Sequence, residues 1–329
     1  MTNQPTSSVQ RLGVWEKFRG VKQFRSRYER GNPLYEQDLA ELQRYGQSGP
    51  FPRVCGTGDE AYKSSYDAFQ AEVGLSGLSV VHRWQAIQAA LSGQDGWRTE
   101  WRRAAGCAYW STRARYAIQA KILDDFRHKR RPQYARTMLF VDVGGHLGDL
   151  LALGWLDWAV ELARGARHWI EHGGFIDGDD DYGQRRTQHF VLRLVGSWQG
   201  WPELSGPKCA FDEPLFDALI EHWRTPDLAL IKHLLLVACD RHTHQARNDH
   251  ASRPIFFDLR TGDWAYDPFE VLAVMRLREQ AGLANPTVVH PLTDTPLGKL
   301  PEPTAPYEDE LLAAVVPRMQ AELGGYWVD

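Results

Sequence analysis

The densest group of chemically capable side chains is Asp240-Arg241-His242-Thr243-His244, with Asp249 and His250 behind it. Imidazoles and carboxylates at such spacing can ligate a metal when they converge on one point. The segment continues a stripe with helical spacing, Leu228, Ile231, Leu235, Ala238 and Cys239. In a helix, residues i and i+2 point about 200° apart, so His242 and His244 cannot reach one ion. His242 falls on the apolar face with Leu235 and Cys239, whereas Asp240 and His244, four apart, share another face. Two readings stay open: a hydrogen-bonded helix end, and a metal-dependent hydrolase using Asp240 and His244, with Asp249 beside them. The first is the expectation, so no catalytic residue, metal or cofactor is assigned.

Two other motifs are weaker. Gly144-Gly145-His146-Leu147-Gly148-Asp149 follows an apolar run as a phosphate loop would, but lacks the GK[ST] ending and the GxGxxG spacing. Close helix packing against small residues is the expectation there. Asp177, Asp179 and Asp181 match the first three ligand positions of a calcium loop, but Tyr182 replaces its glycine and Gln188 its bidentate glutamate. With Asp180 these aspartates form a surface that can instead complement a basic partner. No GxSxG elbow is present.

Helices must carry these motifs. Apolar residues at helical spacing predict helices over Val80–Leu91, Trp101–Phe126, Met138–Leu153, Leu156–Ile170, Thr187–Trp198, Phe216–Trp223 and Leu311–Leu323, the last holding Pro317. Thr225-Pro226 and Asp267-Pro268 read as caps with a proline at the first helical position, and Glu270 stands at a capping-box position. The strand signal is Ile255–Leu259 and Trp264–Tyr266 around Arg260-Thr261-Gly262-Asp263, a short hairpin. The expected fold is mainly α, an irregular array of antiparallel helix pairs with one short β-hairpin near 255–266. The loop Gly46–Gly58, with Pro50 and Pro52, divides an N-terminal helical region (1–58, with a disordered start) from the main body (59–329).

Composition narrows the function classes. The 329 residues hold 38 Lys and Arg against 42 Asp and Glu, a net charge of −4, which excludes a generally basic nucleic-acid binder. Hydrophobic residues at 43% support a full core. Residues 95–136 run the other way, with eleven basic side chains against four acidic. They are expected to pair within the chain, the acidic segment from Glu302 to Glu322 being one partner. The apolar run 137–160 is broken by Asp142, His146, Asp149 and Asp157, which argues against a membrane span. Cys55, Cys107, Cys209 and Cys239 are far apart, without a CxxC pair, and are expected as thiols. The polar opening Met1–Ser8 has no apolar core of a signal peptide, so the cytoplasm is the expected compartment.

The last quarter holds more specific words: Phe256-Phe257-Asp258-Leu259, Gly262-Asp263-Trp264, Asp267-Pro268-Phe269-Glu270-Val271-Leu272, His290-Pro291-Leu292 and Pro296-Leu297-Gly298-Lys299-Leu300-Pro301. This stretch resembles the end of the helical immunity proteins that bacteria encode beside polymorphic or type VI secretion toxins. It is similar in particular to the partner of a nuclease effector with a restriction-endonuclease-like domain. The resemblance implies a protein that binds and silences a cognate toxin in the cytoplasm, touching neither nucleic acid nor membrane. Asp177, Asp179, Asp180 and Asp181 are then the expected partner contact, because a nuclease cleft is lined with positive charge.

Overall fold

Helical periodicity governs the chain. In a computed structural model the described residues are 9–16, 18, 32–55, 62–128, 140–175, 185–204, 212–246, 257–259 and 264–327. They form, in order, α1 (Asn32–Ser48), β1 (Phe51–Cys55), β2 (Tyr62–Tyr66), α2 (Ala68–Leu91), α3 (Trp97–His128), α4 (Phe140–Ala152), α5 (Leu156–Glu171), α6 (Arg186–Gln199), α7 (Pro214–His222), α8 (Leu228–Gln245), α9 (Phe269–Gln280) and α10 (Glu310–Leu323). The fold is mainly α, and no helix among the described residues is long and apolar enough to cross a membrane.

The only hairpin of the described residues is not where the sequence signals place it. β1 and β2 pair antiparallel with Phe51 opposite Tyr66, and those two rings stack at 5.0 Å. Pro52 is tolerated because each strand of a two-stranded sheet is an edge. At 255–266, Phe257–Leu259 and Trp264–Tyr266 form turns, and 255–256 and 260–263 lie outside the described residues. The main-chain groups of Asp258 bond to side chains instead of to a facing strand: its N–H donates to Gln245 and its carbonyl accepts from Arg185 and Gln188. The boundary expected at residue 58 therefore falls between two paired strands. The chain divides instead into one unit of residues 1–25, 87–95 and 139–305, and a second of 26–86, 96–138 and 306–329.

The second unit packs α1, α3, α10 and most of α2 around one core. Leu42 and Tyr45, Leu75 and Leu78, Ala114 and Ile118, and Leu312, Val315 and Met319 are its buried contributions. Glu322 accepts from the Tyr45 hydroxyl at 2.8 Å and from the Ala68 N–H at 3.1 Å, joining α1 and the start of α2 to α10. The basic stretch does pair internally, with varied partners. Arg115 meets the buried Glu72 of α2, and Arg103 donates to the Tyr307 hydroxyl, which donates to Asp309. Only the second of these reaches the C-terminal acidic segment; Lys129 to Arg136 lie outside the described residues. Burial pushes the Cys107 thiol up to about 12, and Cys107 is a free buried thiol.

The first unit is arranged around α4, which packs on α5, α6 and α9. Its glycines allow that approach. A Cβ at Gly144 would stand 2.2 Å from Gln188 of α6, one at Gly145 2.2 Å from the Trp264 ring, and one at Gly148 2.4 Å from the Phe269 ring of α9. Packing, not phosphate binding, accounts for all three. Arg278 of α9 donates to the carbonyls of Trp223 and Thr225 at 2.6 and 2.8 Å, satisfying backbone groups beyond α7. Two caps differ from expectation. The α8 cap is Asp227, whose side chain accepts from Ala229 and Leu230 N–H, while Thr225 accepts from Asp227 N–H. At α9 the cap is Pro268, whose ring cannot accept a bond, and the Glu270 carboxylate faces His242.

Candidate functional site

Helix α8 runs apolar from Leu234 to Cys239 and then presents Asp240, Arg241, His242, Thr243 and His244 in succession. Successive helical side chains are separated by about 100°, so five in a row cannot all face one surrounding. Here the N-terminal segment meets Asp240, Thr243 and His244, while Arg241 and His242 are met by other parts of the first unit.

Asp240 faces the N-terminal segment. Its Oδ2 accepts from Arg11 Nε and from Gly13 N–H, the latter at 3.0 Å; its Oδ1 accepts from Arg11 Nη2 at 2.9 Å and from His290 Nε2 at 3.2 Å. Four donors fill the carboxylate, about its full acceptor capacity. Burial pushes its pKa up, but the Arg11 and Gly13 bonds pull harder and hold it below the ordinary carboxylate value. The same segment is bonded at intervals along α8: Val9 carbonyl to His233, Gly13 carbonyl to His244, and Trp15 N–H to the Thr243 hydroxyl. Residues 9–15 thus lie as a strap along one face of the helix.

Arg241 points elsewhere. It donates to Glu213 at 2.8 Å, to Thr187 at 2.8 Å and to Asp258 at 2.6 Å, and its guanidinium sits 4.7 Å from the Phe216 ring centroid. Burial opposes its charge, yet Asp258 and Glu213 more than compensate and raise its pKa.

Two of the buried histidines, His242 and His290, are shifted in opposite directions by their surroundings. His242 Nε2 faces the Trp264 carbonyl at 2.9 Å and Nδ1 faces the Glu270 carboxylate at 2.8 Å. A carbonyl on one ring nitrogen and a carboxylate on the other favour the doubly protonated ring. Burial alone lowers its pKa, but Glu270 outweighs it and the net shift is upward. His290 Nδ1 accepts the Leu292 N–H at 3.1 Å, so its proton sits on Nε2 and is given to Asp240. A second proton has no place, and burial, the largest influence, holds its pKa below the ordinary value.

The structure therefore brings Asp240 and His244 to the same strap at Gly13, without converging them on a common point. Among the described residues no three His, Cys, Asp or Glu side chains are grouped to hold a metal ion. Asp249 and His250 lie outside the described residues, as do Asp177, Asp179, Asp180 and Asp181. The sequence reading missed Arg11, Gly13 and His290 as partners of Asp240. Of the apolar residues beside Arg11 only Trp15 is buried, Leu12 and Val14 being exposed, so no periodic signal in the sequence marked this docking. Compared with models of known protein families, with curated proteins and with solved structures, the chain matches none of them.

Proposed function

We propose that this chain is an immunity protein, which binds a cognate bacterial toxin of the nuclease effector class and silences it by protein–protein contact in the cytoplasm. The observation that carries a binding role over a catalytic one is the saturation of Asp240. A general base needs an open lone pair within reach of a substrate proton, and this carboxylate already accepts four hydrogen bonds. The sequence words from Phe256 to Pro301 support the immunity class. Two of their described residues serve as structure: Leu297 is buried, and a Cβ at Gly298 would fall 2.0 Å from the Leu292 carbonyl.

Asp177, Asp179, Asp180 and Asp181 are the proposed contact, since four carboxylates can complement the basic cleft a nuclease uses for phosphates. The test is co-expression with the product of the adjacent gene, purification of the pair, and a DNA-degradation assay with and without this chain. A complex that loses nuclease activity is expected. Absence of a complex, or a complex of undiminished activity, would reject the immunity reading. Replacing the four aspartates by asparagine is expected to slow association at low salt and to flatten its salt dependence.

A further inference from the structure

A glycine inside a helix costs about 0.5–1 kcal/mol relative to alanine, so each one needs a reason. Gly144, Gly145 and Gly148 have theirs in the close approach of neighbouring side chains to α4. Gly196, inside α6, has none of that kind. A Cβ there would meet only Arg167 Nη1 at 3.7 Å and Trp201 Cε3 at 3.9 Å, both ordinary contacts, and its φ is not in the left-handed range. The internal packing would accept alanine.

What the missing side chain leaves is the floor of an open cavity of about 250 Å³. Its walls include Arg167 of α5, Leu192 and Arg193 of α6, and Trp201 and Leu204 of the segment that follows. Pockets for drug-sized ligands begin near ~300 Å³, so this one suits a single ring or branched chain with a short tail. Leu192 and Leu204 are buried and offer an apolar wall.

The polar lining of the cavity holds two cations, Arg167 and Arg193, and one anion, the exposed Glu203, and the cations are already fixed in place. Arg167 Nη1 donates to the Pro202 carbonyl at 2.9 Å, and its guanidinium lies 5.4 Å from the Trp201 ring centroid. Its carboxylate neighbour, Glu171, is 3.9 Å away. Arg193 meets Asp217 at 2.8 Å and Glu203 at 3.5 Å. The arginine side chains are only 18% and 11% exposed, whereas those of Glu171, Asp217 and Glu203 are 53%, 53% and 77% exposed. The cations are thus largely desolvated and held in position, while the anions facing them stand in water. Such solvated pairs are worth about 0–1 kcal/mol and can exchange partners at little cost.

We propose that this cavity is a binding site for a carboxylate carried on a compact apolar or aromatic body, the carboxylate meeting Arg167 and the body lying on Trp201 and Leu204. Guanidinium recognises carboxylate through paired N–H donors, and the ring face of Trp201 accepts a second flat group. The carboxylate has two sources, a free small acid or the carboxyl end of a polypeptide with an aromatic last residue. The proposal is independent of the immunity reading.

The test uses the full chain labelled with 5-fluorotryptophan, with the Trp201 fluorine resonance assigned through Trp201→Phe. It is titrated with 3-phenylpropionate, with the matching amide, and with N-acetyl-Gly-Gly-Phe as the free acid and as the amide. A saturable shift of the Trp201 resonance by at least one free acid is expected, with its amide binding roughly tenfold or more weakly. A response to 3-phenylpropionate identifies a small acid, and a response to the peptide acid alone identifies a chain end. Arg167→Gln is expected to weaken binding by roughly tenfold or more, the scale of one hydrogen bond to a charged group. Gly196→Ala, which favours the helix and narrows the cavity floor, is expected to weaken it in a protein that stays folded. No saturable shift with either acid, equal binding of acids and amides, or unchanged binding in both variants would overturn the proposal.

Discussion

The end of α8 and the cavity over Gly196 are both built from arginines and carboxylates, and they differ in which partner is buried. At α8 the carboxylates of Asp240, Asp258 and Glu270 are at most 2% exposed, and Asp240 and Asp258 each accept several donors. At the cavity the carboxylates are exposed and only the guanidiniums are sheltered. A buried anion without partners is too costly to persist, and each of these carboxylates is met from within the chain, although Oδ1 of Asp258 and Oε2 of Glu270 have no hydrogen-bond partner. A solvated anion facing a sheltered cation leaves that cation able to change partners. The contrast assigns the first region to holding the fold and the second to holding something else.

The sharpest way to break that contrast is Arg241→Met. Removing one partner of a buried ion pair commonly costs about 3–5 kcal/mol, because the other charge is left unpaired. Asp258 would keep its bonds from Thr187 but lose its cation, and Glu213 would lose its donor. Denaturant unfolding is expected to show a loss of that size. A loss below about 1 kcal/mol, typical of a surface pair, would place the α8 end in the same class as the cavity.

The histidines give a smaller and signed effect. His242 has a raised pKa, so its pairing contributes stability that is full below the unfolded value of 6.5 and is lost as pH rises through the folded value. His290 has a lowered pKa, so stability falls as pH drops from 6.5 towards its folded value, where the folded chain binds fewer protons than the unfolded one. A tenfold difference in proton affinity between the folded and unfolded chains corresponds to about 1.4 kcal/mol. Melting curves across pH are expected to lose their alkaline decline in His242→Gln and part of their acid decline in His290→Asn. An unchanged acid limb in His290→Asn would mean that the Leu292 N–H does not dictate the ring's protonation.

Much of this architecture is legible in the sequence because it depends on local spacing. The 3.6-residue stripes locate the helices from α2 onward, and Gly144, Gly145 and Gly148 read as packing residues from their place beside an apolar run. The divergence of His242 and His244 likewise follows from the helical angle alone. What stays hidden is long-range. Nothing at Asp240 names Arg11, 229 positions away, and nothing at Glu270 says that His242 will take the carboxylate a capping box would have used. The hairpin is misplaced for a related reason. The 255–266 stretch has strand-forming residues and turn chemistry, but side chains from the start of α6 and from α8 take the backbone groups of Asp258, whereas Phe51 and Tyr66 stack across two strands, the first of them set in a Gly46–Gly58 stretch that reads as loop.

The smallest effect bears most directly on what the cavity is for. If Gly196 were needed for packing, as Gly145 is, an added methyl group would overpack and cost about 1–3 kcal/mol. With the nearest atoms at 3.7 and 3.9 Å, Gly196→Ala is instead expected to raise the unfolding free energy by up to about 1 kcal/mol, the usual gain at a helix interior. Thermal unfolding with no ligand present checks this. Destabilisation would show that α5, α6 and Trp201 close on the glycine more tightly than the distances indicate, and the cavity would be reduced to a packing feature. Stabilisation would mean that the chain forgoes a gain available by a single methyl group, which stability alone gives no reason to do, whereas a ligand seated on the α6 backbone does.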